Sequence, residues 1–303
     1  MSNINKKLSL VIPTKNRPED LIELVDSIMS QSLMPDELII IDQSDTSKSK
    51  ELIQSRWKDA SNSKLTYILD PSIKGLVDAK RHGTLISSHD LVCFLDDDLI
   101  LDNHFLKQIV EPFQFDTKIL GSSGVFINFP RRSKLYSVMY SLFHKGIFSD
   151  PRPQVFRKYE GYANPLVPTN VLWGGITIWN ADVLNKVPFD DKNFLFMMED
   201  FDYSAKVRNN LGNNFFINPN ARAIHNHSEI NRASETDQET KKISEYIAYY
   251  KKRNTKFIDL MHLLWLLIGL FLHVLYQSLK VKDIKLIKAF FKGINSSKDL
   301  IND

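Results

Sequence analysis

Four short, almost wholly apolar runs, separated by helix-length stretches, constrain the fold of this chain more than any other feature. Residues 8–12, 38–41, 65–69 and 91–95 are rich in aliphatic and β-branched side chains, and they lack the alternation of a strand with one wet face. After the first run, Pro13-Thr14-Lys15-Asn16-Arg17-Pro18 breaks the strand, and Leu21, Leu24, Val25 and Ile28 then recur at helical spacing. Apolar strands alternating with helices predict an α/β fold, a mostly parallel sheet covered on both faces. Ligands of such sheets sit beyond the carboxyl ends of the strands, where Asn16, Asp42 and Asp96 fall.

Past about residue 115 the alternation weakens. Residues 130–168 are rich in aromatic, basic and proline residues without a clear period, and read as a loop-rich insertion suited to shaping an acceptor site. Trp173-Gly174-Gly175 precedes a strand-like run at 176–179 and a helix to about Asn185, and residues 215–217 and 221–224 read as two short strands. The single cysteine, Cys93, lies inside an apolar run; it forms no internal disulfide and fits a reducing compartment. Residues 1–7 are polar and offer no signal peptide, so the expected place of the catalytic part is the cytoplasm.

Asp96-Asp97-Asp98 sets three like charges at the end of a buried strand, a costly arrangement unless a cation neutralises them. In an extended chain Asp96 and Asp98 share one side, roughly 6–7 Å apart. A hard cation, Mn²⁺ or Mg²⁺, suits that pair, bound directly by one carboxylate and through water by the other. Aspartates ending a strand also serve as turn formers, and on these residues alone both readings stand.

The segment 11–18, the strand ending at Asp42, the segment 75–83, Asp96-Asp97-Asp98, Gly174-Gly175 and Glu199-Asp200 follow one another in this order. Over roughly residues 7–230 the chain resembles the inverting family-2 glycosyltransferases of the GT-A fold, and most of all their rhamnosyl- and galactofuranosyl-transferring members. The resemblance implies a nucleoside-diphosphate sugar donor, a glycan or lipid-linked glycan acceptor, a Mn²⁺ or Mg²⁺ cofactor and a single displacement. It implies that Pro13, Thr14, Asn16 and Arg17 line the nucleoside and diphosphate, and that Asp42 accepts a hydrogen bond from the base. Asn16 reads equally well as a helix cap ahead of Pro18 and Glu19.

Residues 75–83 are similar to the family's Gly-x-x-x-Ala-Arg-Asn-x-Gly segment, with Lys80 where Arg is usual and Arg81 where Asn is usual. Lysine keeps a cation near the diphosphate but not the fork of a guanidinium; solvated helix charges are the alternative. By the same resemblance Asp96 and Asp97 contact the donor, while Asp96, Asp98 and a histidine hold the metal, His225 matching better than His227. Asp200 matches the base, and its apolar neighbours Phe196, Met197, Met198 and Phe201 favour a raised pKa. Glu199 would hold acceptor hydroxyls and Asp202 would cap the following helix. Gly174-Gly175 would let the backbone pass close to a sugar, and Trp173 either offers that sugar an aromatic face or belongs to the core.

The charges are unevenly spread: residues 241–303 carry 12 basic and 5 acidic side chains, and the rest carries 27 and 31. A basic tail on an acidic body points to an anionic surface, not to a nucleic acid wrapped by the whole protein. Residues 260–276 are nearly continuously apolar, roughly 26 Å as a helix, with His262 and His273 making a weakly polar stripe. Both flanks are basic, which suits lying in the interface or re-entering rather than crossing. Residues 281–294 put Ile284, Ile287, Phe291 and Ile294 opposite Lys282, Lys285 and Lys292, the pattern of an interfacial helix. A helix pair packed on protein or closing a homodimer is the alternative. The expected division is therefore a catalytic domain at 1–240 and a membrane-associating tail at 241–303, on the cytoplasmic face of the membrane. Two rival functions remain at this point. A sugar nucleotidyltransferase wants a glycine-rich loop that residues 13–17 lack, and a non-catalytic glycan-binding membrane-surface protein has no need of Asp96, Asp98 and Asp200.

Overall fold

The computed structural model describes residues 6–46, 48–60, 63–129, 133–153, 155, 166–190, 195–226, 233–253 and 256–297. Contacts divide them into two compact units. The first draws on Met1–Pro130, Gln154–Lys192 and Tyr203–Asn231, the second on Arg131–Pro153, Asn193–Asp202 and Arg232–Asp303. The described helices are α1 (Pro18–Met29), α2 (Lys50–Ala60), α3 (Leu76–Ile86), α4 (Phe105–Phe115), α5 (Lys134–Phe143), α6 (Ala181–Lys186), α7 (Glu199–Leu211), α8 (Glu235–Lys252), α9 (Phe257–Val281) and α10 (Lys285–Ser296).

The first unit is built on a mixed sheet of β1 (Leu8–Thr14), β2 (Glu37–Asp42), β3 (Lys64–Leu69), β4 (Leu91–Leu95), β5 (Leu99–Leu101), β6 (Gly121–Phe126), β7 (Val167–Thr169), β8 (Ile176–Asn180) and β9 (Phe215–His225). The spatial order is β3-β2-β1-β4-β8-β6-β9-β5, with β7 against β9. The four strands formed by the apolar runs are parallel to one another. Beyond β4 the sheet departs from the parallel expectation: β8 is antiparallel to β4 and β6, and β5 and β7 are antiparallel to β9. Only residues 96–98 link β4 to β5, too few for a parallel crossover, so the chain turns there.

Strand period two assigns alternate residues to opposite faces. Leu8, Leu10, Ile12, Leu38, Ile40, Leu91, Cys93 and Leu95 meet Leu21, Leu24, Val25 and Ile28 of α1 and Phe105, Leu106, Ile109 and Phe113 of α4. Val11, Ile39, Ile41, Val92 and Phe94 meet Val77 and Ala79 of α3 and Val183 and Leu184 of α6 on the other side. Each fully buried aliphatic side chain contributes about 1.5–3 kcal/mol, so both helical layers are held by burial. Cys93 is buried and burial pushes its thiol up, which makes it an inert strand residue. The two short strands expected at 215–224 are one strand; its pairing with β6 shifts register between Ser123 and Val125, so residues around Pro219 bulge without ending it.

In the second unit, α5 stands where a loop-rich insertion was expected. Ser133 caps it by accepting from the Tyr136 amide at 3.1 Å, and a 3-10 turn follows at Gly146–Phe148. The amphipathic segment expected at 281–294 is divided: Lys282 adopts a left-handed conformation that ends α9, and α10 begins three residues later. Ala289, Phe290 and Gly293 of α10 are buried. Gly293 lies so close to α8 that a Cβ would come within 2.6 Å of the Thr240 carbonyl oxygen. Ile284 and Phe291 stay exposed.

Candidate active site

Residues 96–98 form a turn between β4 and β5, so the three carboxylates are arranged by that turn and not by strand alternation. Asp97 points inward. Its Oδ2 accepts from Thr14 Oγ1 at 2.7 Å and its Oδ1 from Arg17 Nη1 at 2.9 Å, which ties the loop after β1 to the acidic turn. Burial pushes the Asp97 carboxyl up to about 6, opposed by Thr14 and Arg17.

Asp96 and Asp98 converge instead on His225, and one ligand atom from each lies within 4.8 Å of the others. The sheet explains the meeting, because Leu99 of β5 pairs with His225 at the end of β9. Asn128 fixes the histidine further, accepting from its amide at 3.0 Å and donating to its carbonyl at 2.8 Å. His225 Nε2 stands 3.0 Å from Asp98 Oδ1. Two carboxylates and an imidazole on one small triangle suit a divalent cation with sites left for phosphate oxygens. His227 lies outside the described residues.

Gly175 makes room for this triangle, since a Cβ there would stand 1.8 Å from Asp96 Oδ2. The Gly175 carbonyl also accepts from the Asp96 amide at 2.9 Å. Gly175→Ala is therefore expected to weaken Mn²⁺ binding about tenfold or more by displacing a ligand. Calorimetric titration of Mn²⁺ checks this, and unchanged affinity in a folded variant would contradict it.

Beside the acidic turn, a cavity of about 240 Å³ is lined by Thr14, Asn16, Arg17, Pro18, Asp42, Ser44, Thr46, Lys48 and Ser49. Asn16 does not cap α1. Arg17 holds the cap position without a side-chain bond, while Asn16 takes a positive φ of 56° and its amide donates to Ser44 Oγ at 2.7 Å. Asp42 accepts from the Ser44 amide at 3.0 Å and from the Tyr67 hydroxyl at 2.7 Å; each carboxylate oxygen has capacity for a second bond. Pro13 pairs with Ile41 within the sheet. Lys80 is buried and donates to the Gly174 carbonyl at 3.1 Å, and Arg81 pairs with Asp78 on its own helix at 3.2 Å. Trp173 is half-buried against the core, 6.1 Å from the Phe126 ring.

In the second unit, Glu199 and Asp200 open α7. Asp200 Oδ2 is paired with Arg152, and its Oδ1 accepts from the Phe201 amide at 2.8 Å. Arg152 forks onto Asp150 at 2.8 and 3.0 Å, and Asp150 accepts from the Tyr140 hydroxyl at 3.0 Å. Burial pushes the Asp200 carboxyl up, Arg152 opposes this, and Glu199 adds to it. Glu245 of α8 holds the approach to Asp200, its Oε2 accepting from the amides of Phe196, Met197 and Met198 at 3.0, 2.6 and 3.0 Å. Asp202 is not the expected helix cap; it lies inside the first turn of α7 and pairs with Lys252 at 3.1 Å.

Residues 9–185, more than half of the chain, match the family model of glycosyl transferase family 2. The chain belongs to glycosyl transferase family 2. A 93-residue stretch is 33% identical to the GalNAc(5)-diNAcBac-PP-undecaprenol beta-1,3-glucosyltransferase of Campylobacter jejuni, covering 30% of this chain and 29% of that enzyme. The match thus spans under a third of the relative's length. It extends to the family and not to its rhamnosyl- or galactofuranosyl-transferring members. Among solved structures, the mannosyltransferase PcManGT of Pyrobaculum calidifontis, determined with GDP-Man and Mn²⁺, superposes with a TM-score of 0.63 at 12% identity, over 96% of this chain and 87% of that one. S. aureus TarS superposes at 0.53 and 13% identity, over 98% and 90%. These likenesses show the GT-A fold.

Within this family-2 chain, Asp150, Arg152 and Glu245 are the residues sequence reasoning missed. Arg152 sits in an aperiodic stretch between Pro151 and Pro153, and Glu245 counts in sequence as one more solvated charge of a basic tail. Their partners lie 48 and 47–49 residues away, and no local pattern carries such a pairing.

Proposed function

We propose that the chain is a nucleotide-sugar glycosyltransferase that moves a hexosyl or deoxyhexosyl group to a glycan or lipid-linked glycan with inversion, in a single displacement. The observation that carries this reading is the convergence of Asp96, Asp98 and His225 beside the cavity lined by Thr14, Asn16, Arg17 and Asp42, in a family-2 chain. Mn²⁺ or Mg²⁺ fits that donor set, and the presence of GDP-Man and Mn²⁺ in the Pyrobaculum structure supports it. When bound, the ion neutralises charge on the departing nucleoside diphosphate. Arg17, anchored by Asp97, adds a fixed cation on the same side. Asp42 accepts from the nucleobase. Lys80 holds Gly174, so its cation acts on the glycine loop that borders Asp96.

Asp200 takes the proton from the acceptor hydroxyl. Its upward shift brings it toward the pKa that suits a base, and Glu199 holds neighbouring hydroxyls. Residues 241–303 attach the enzyme to the cytoplasmic face of a membrane. The undecaprenol-linked acceptor named for the Campylobacter relative supports a lipid-linked one here.

Titration calorimetry with a panel of nucleoside diphosphates tests the donor side. At least one should bind with Mn²⁺ and lose its affinity in EDTA. Equal affinity in EDTA would remove the metal from the reading, and failure of every nucleotide to bind would remove the donor.

A further inference from the structure

Along α9 one stripe is buried and the opposite one is bare. Leu263, Leu266, Leu270, Val274 and Ser278 recur at helical spacing and are buried against α5, the 3-10 turn, α8 and α10 of the same unit. The histidines face this packing: a Cβ on Gly146 would fall 2.1 Å from His262 Nδ1, and His273 lies 6.0 Å from the Tyr136 ring. Leu264, Trp265, Ile268, Leu272, Tyr276 and Leu279 are exposed. Between residues 257 and 279 the one charged side chain is Asp259, half-buried in the first turn, where it accepts from the Lys256 amide at 2.9 Å.

Helix α5 widens this surface. Leu135, Val138, Met139 and Leu142 recur at i, i+3, i+4 and i+7 and are exposed. Trp265 Nε1 donates to the Leu142 carbonyl at 2.8 Å, the Phe143 and Trp265 rings are 4.9 Å apart, and Phe143 fills the space above Gly269. The two helices thus lie side by side in one apolar face. Exposed lysines close its ends, Lys134 and Lys145 around α5, and Lys256, Lys280 and Lys282 around α9.

We infer that the α5–α9 face is seated in the interfacial region of an anionic bilayer, holding the second unit at the membrane surface to receive a lipid-linked acceptor. The acceptor part rests on the glycosyltransferase reading above. A soluble monomer rarely exposes so continuous an apolar patch. Helix α9 is about 37 Å long, but its buried stripe ties it to its own unit along its length, so it lies in the membrane plane instead of crossing. A second copy fits less well. Both ends of the face are basic, so a two-fold pairing in either sense stacks like charges, whereas anionic headgroups neutralise both ends. From α5 the path to the proposed base is short, through Tyr140, Asp150 and Arg152 to Asp200.

The test uses the full chain and vesicles of phosphatidylglycerol and phosphatidylcholine, with and without brominated acyl chains. Brominated lipid should quench a tryptophan signal that persists in high salt and is absent in Trp265→Phe. A variant carrying Leu135→Ser, Val138→Ser and Leu142→Ser, with α9 intact, should partition onto vesicles about 100-fold less or weaker still, with metal-dependent nucleotide binding unchanged. Wild-type partitioning in that variant would overturn the role of α5. Absence of quenching in a chain that sediments as a dimer would make a second copy the occupant and overturn the inference outright. A vesicle-bound chain that transfers no sugar would support the surface and sink the glycosyltransferase reading; an active chain that ignores vesicles would do the reverse.

Discussion

Asp200→Asn is expected to lower turnover about 10²–10⁴-fold, the usual contribution of a general base, with nucleoside diphosphate affinity nearly unchanged. The amide keeps the size of the carboxylate and removes only its basicity. The fold should survive, because Asp150 continues to hold Arg152 through two hydrogen bonds and the buried guanidinium is not left without a counter-charge. The sign of the pH effect follows from the neighbours. As the proposed base Asp200 would have to be ionised to act, and burial raises its pKa against the pull of Arg152, with Glu199 and Asp150 adding to the rise and Tyr246 close by. The acidic limb of kcat is therefore expected above that of a solvated carboxylate. Arg152→Lys, which keeps the charge and loses the fork, should move the limb to higher pH. Turnover near wild type in Asp200→Asn, in a chain with unchanged thermal midpoint, would take Asp200 out of the mechanism.

Asp98→Ala is expected to cost about 100-fold or more in kcat/KM at fixed Mn²⁺, and raising Mn²⁺ should recover part of it. Asp98 is the member of the triangle that other charges also lean on, its oxygens lying 3.0 Å from His225 Nε2 and 3.6 Å from Arg17 Nη1. Its removal leaves Arg17 anchored to Asp97, so the cavity lined by Thr14, Arg17 and Asp42 should keep its wall and the loss should fall on metal affinity. A dependence on Mn²⁺ identical to wild type would contradict the ligand assignment.

How much of this was legible in sequence follows from where the relevant forces act. The strands at 8–12, 38–41 and 91–95 were legible because burial on both faces leaves almost no polar position, the half-buried edge strand at 65–69 because its run is mostly apolar as well, and β4 is found with the expected limits, Leu91–Leu95. Helix α1 was legible from four apolar residues that are all buried. Helix α5 was not, although Leu135, Val138, Met139 and Leu142 keep helical spacing. Its other side carries Tyr136, Tyr140 and Phe143, so no polar face sets the period. Strand β9 was broken in two by Asn218-Pro219-Asn220, whose bulge depends on the partner strand.

At the candidate site, Asp96 and Asp98 were named from like charges at a strand end and His225 from the family resemblance, and the structure brings them together, but by a turn and the β5–β9 pairing in place of the expected strand alternation. Gly175 was singled out for a passing sugar, and its nearest neighbour is Asp96. Lys80 was read as a diphosphate cation or a solvated helix charge; it is buried, and it donates to Gly174, a contact 94 residues distant in sequence.

The most direct test of the glycosyltransferase account is acceptor-dependent release of nucleoside diphosphate from a panel of nucleotide sugars with Mn²⁺, using membrane-extracted glycolipid as acceptor and reading the anomeric configuration of the product by NMR. The account predicts one donor whose nucleoside diphosphate appears in step with glycosylated acceptor, with the anomeric configuration inverted and the reaction stopped by EDTA. Release of pyrophosphate from a nucleoside triphosphate and a sugar phosphate, with no transfer from any nucleotide sugar, would contradict it.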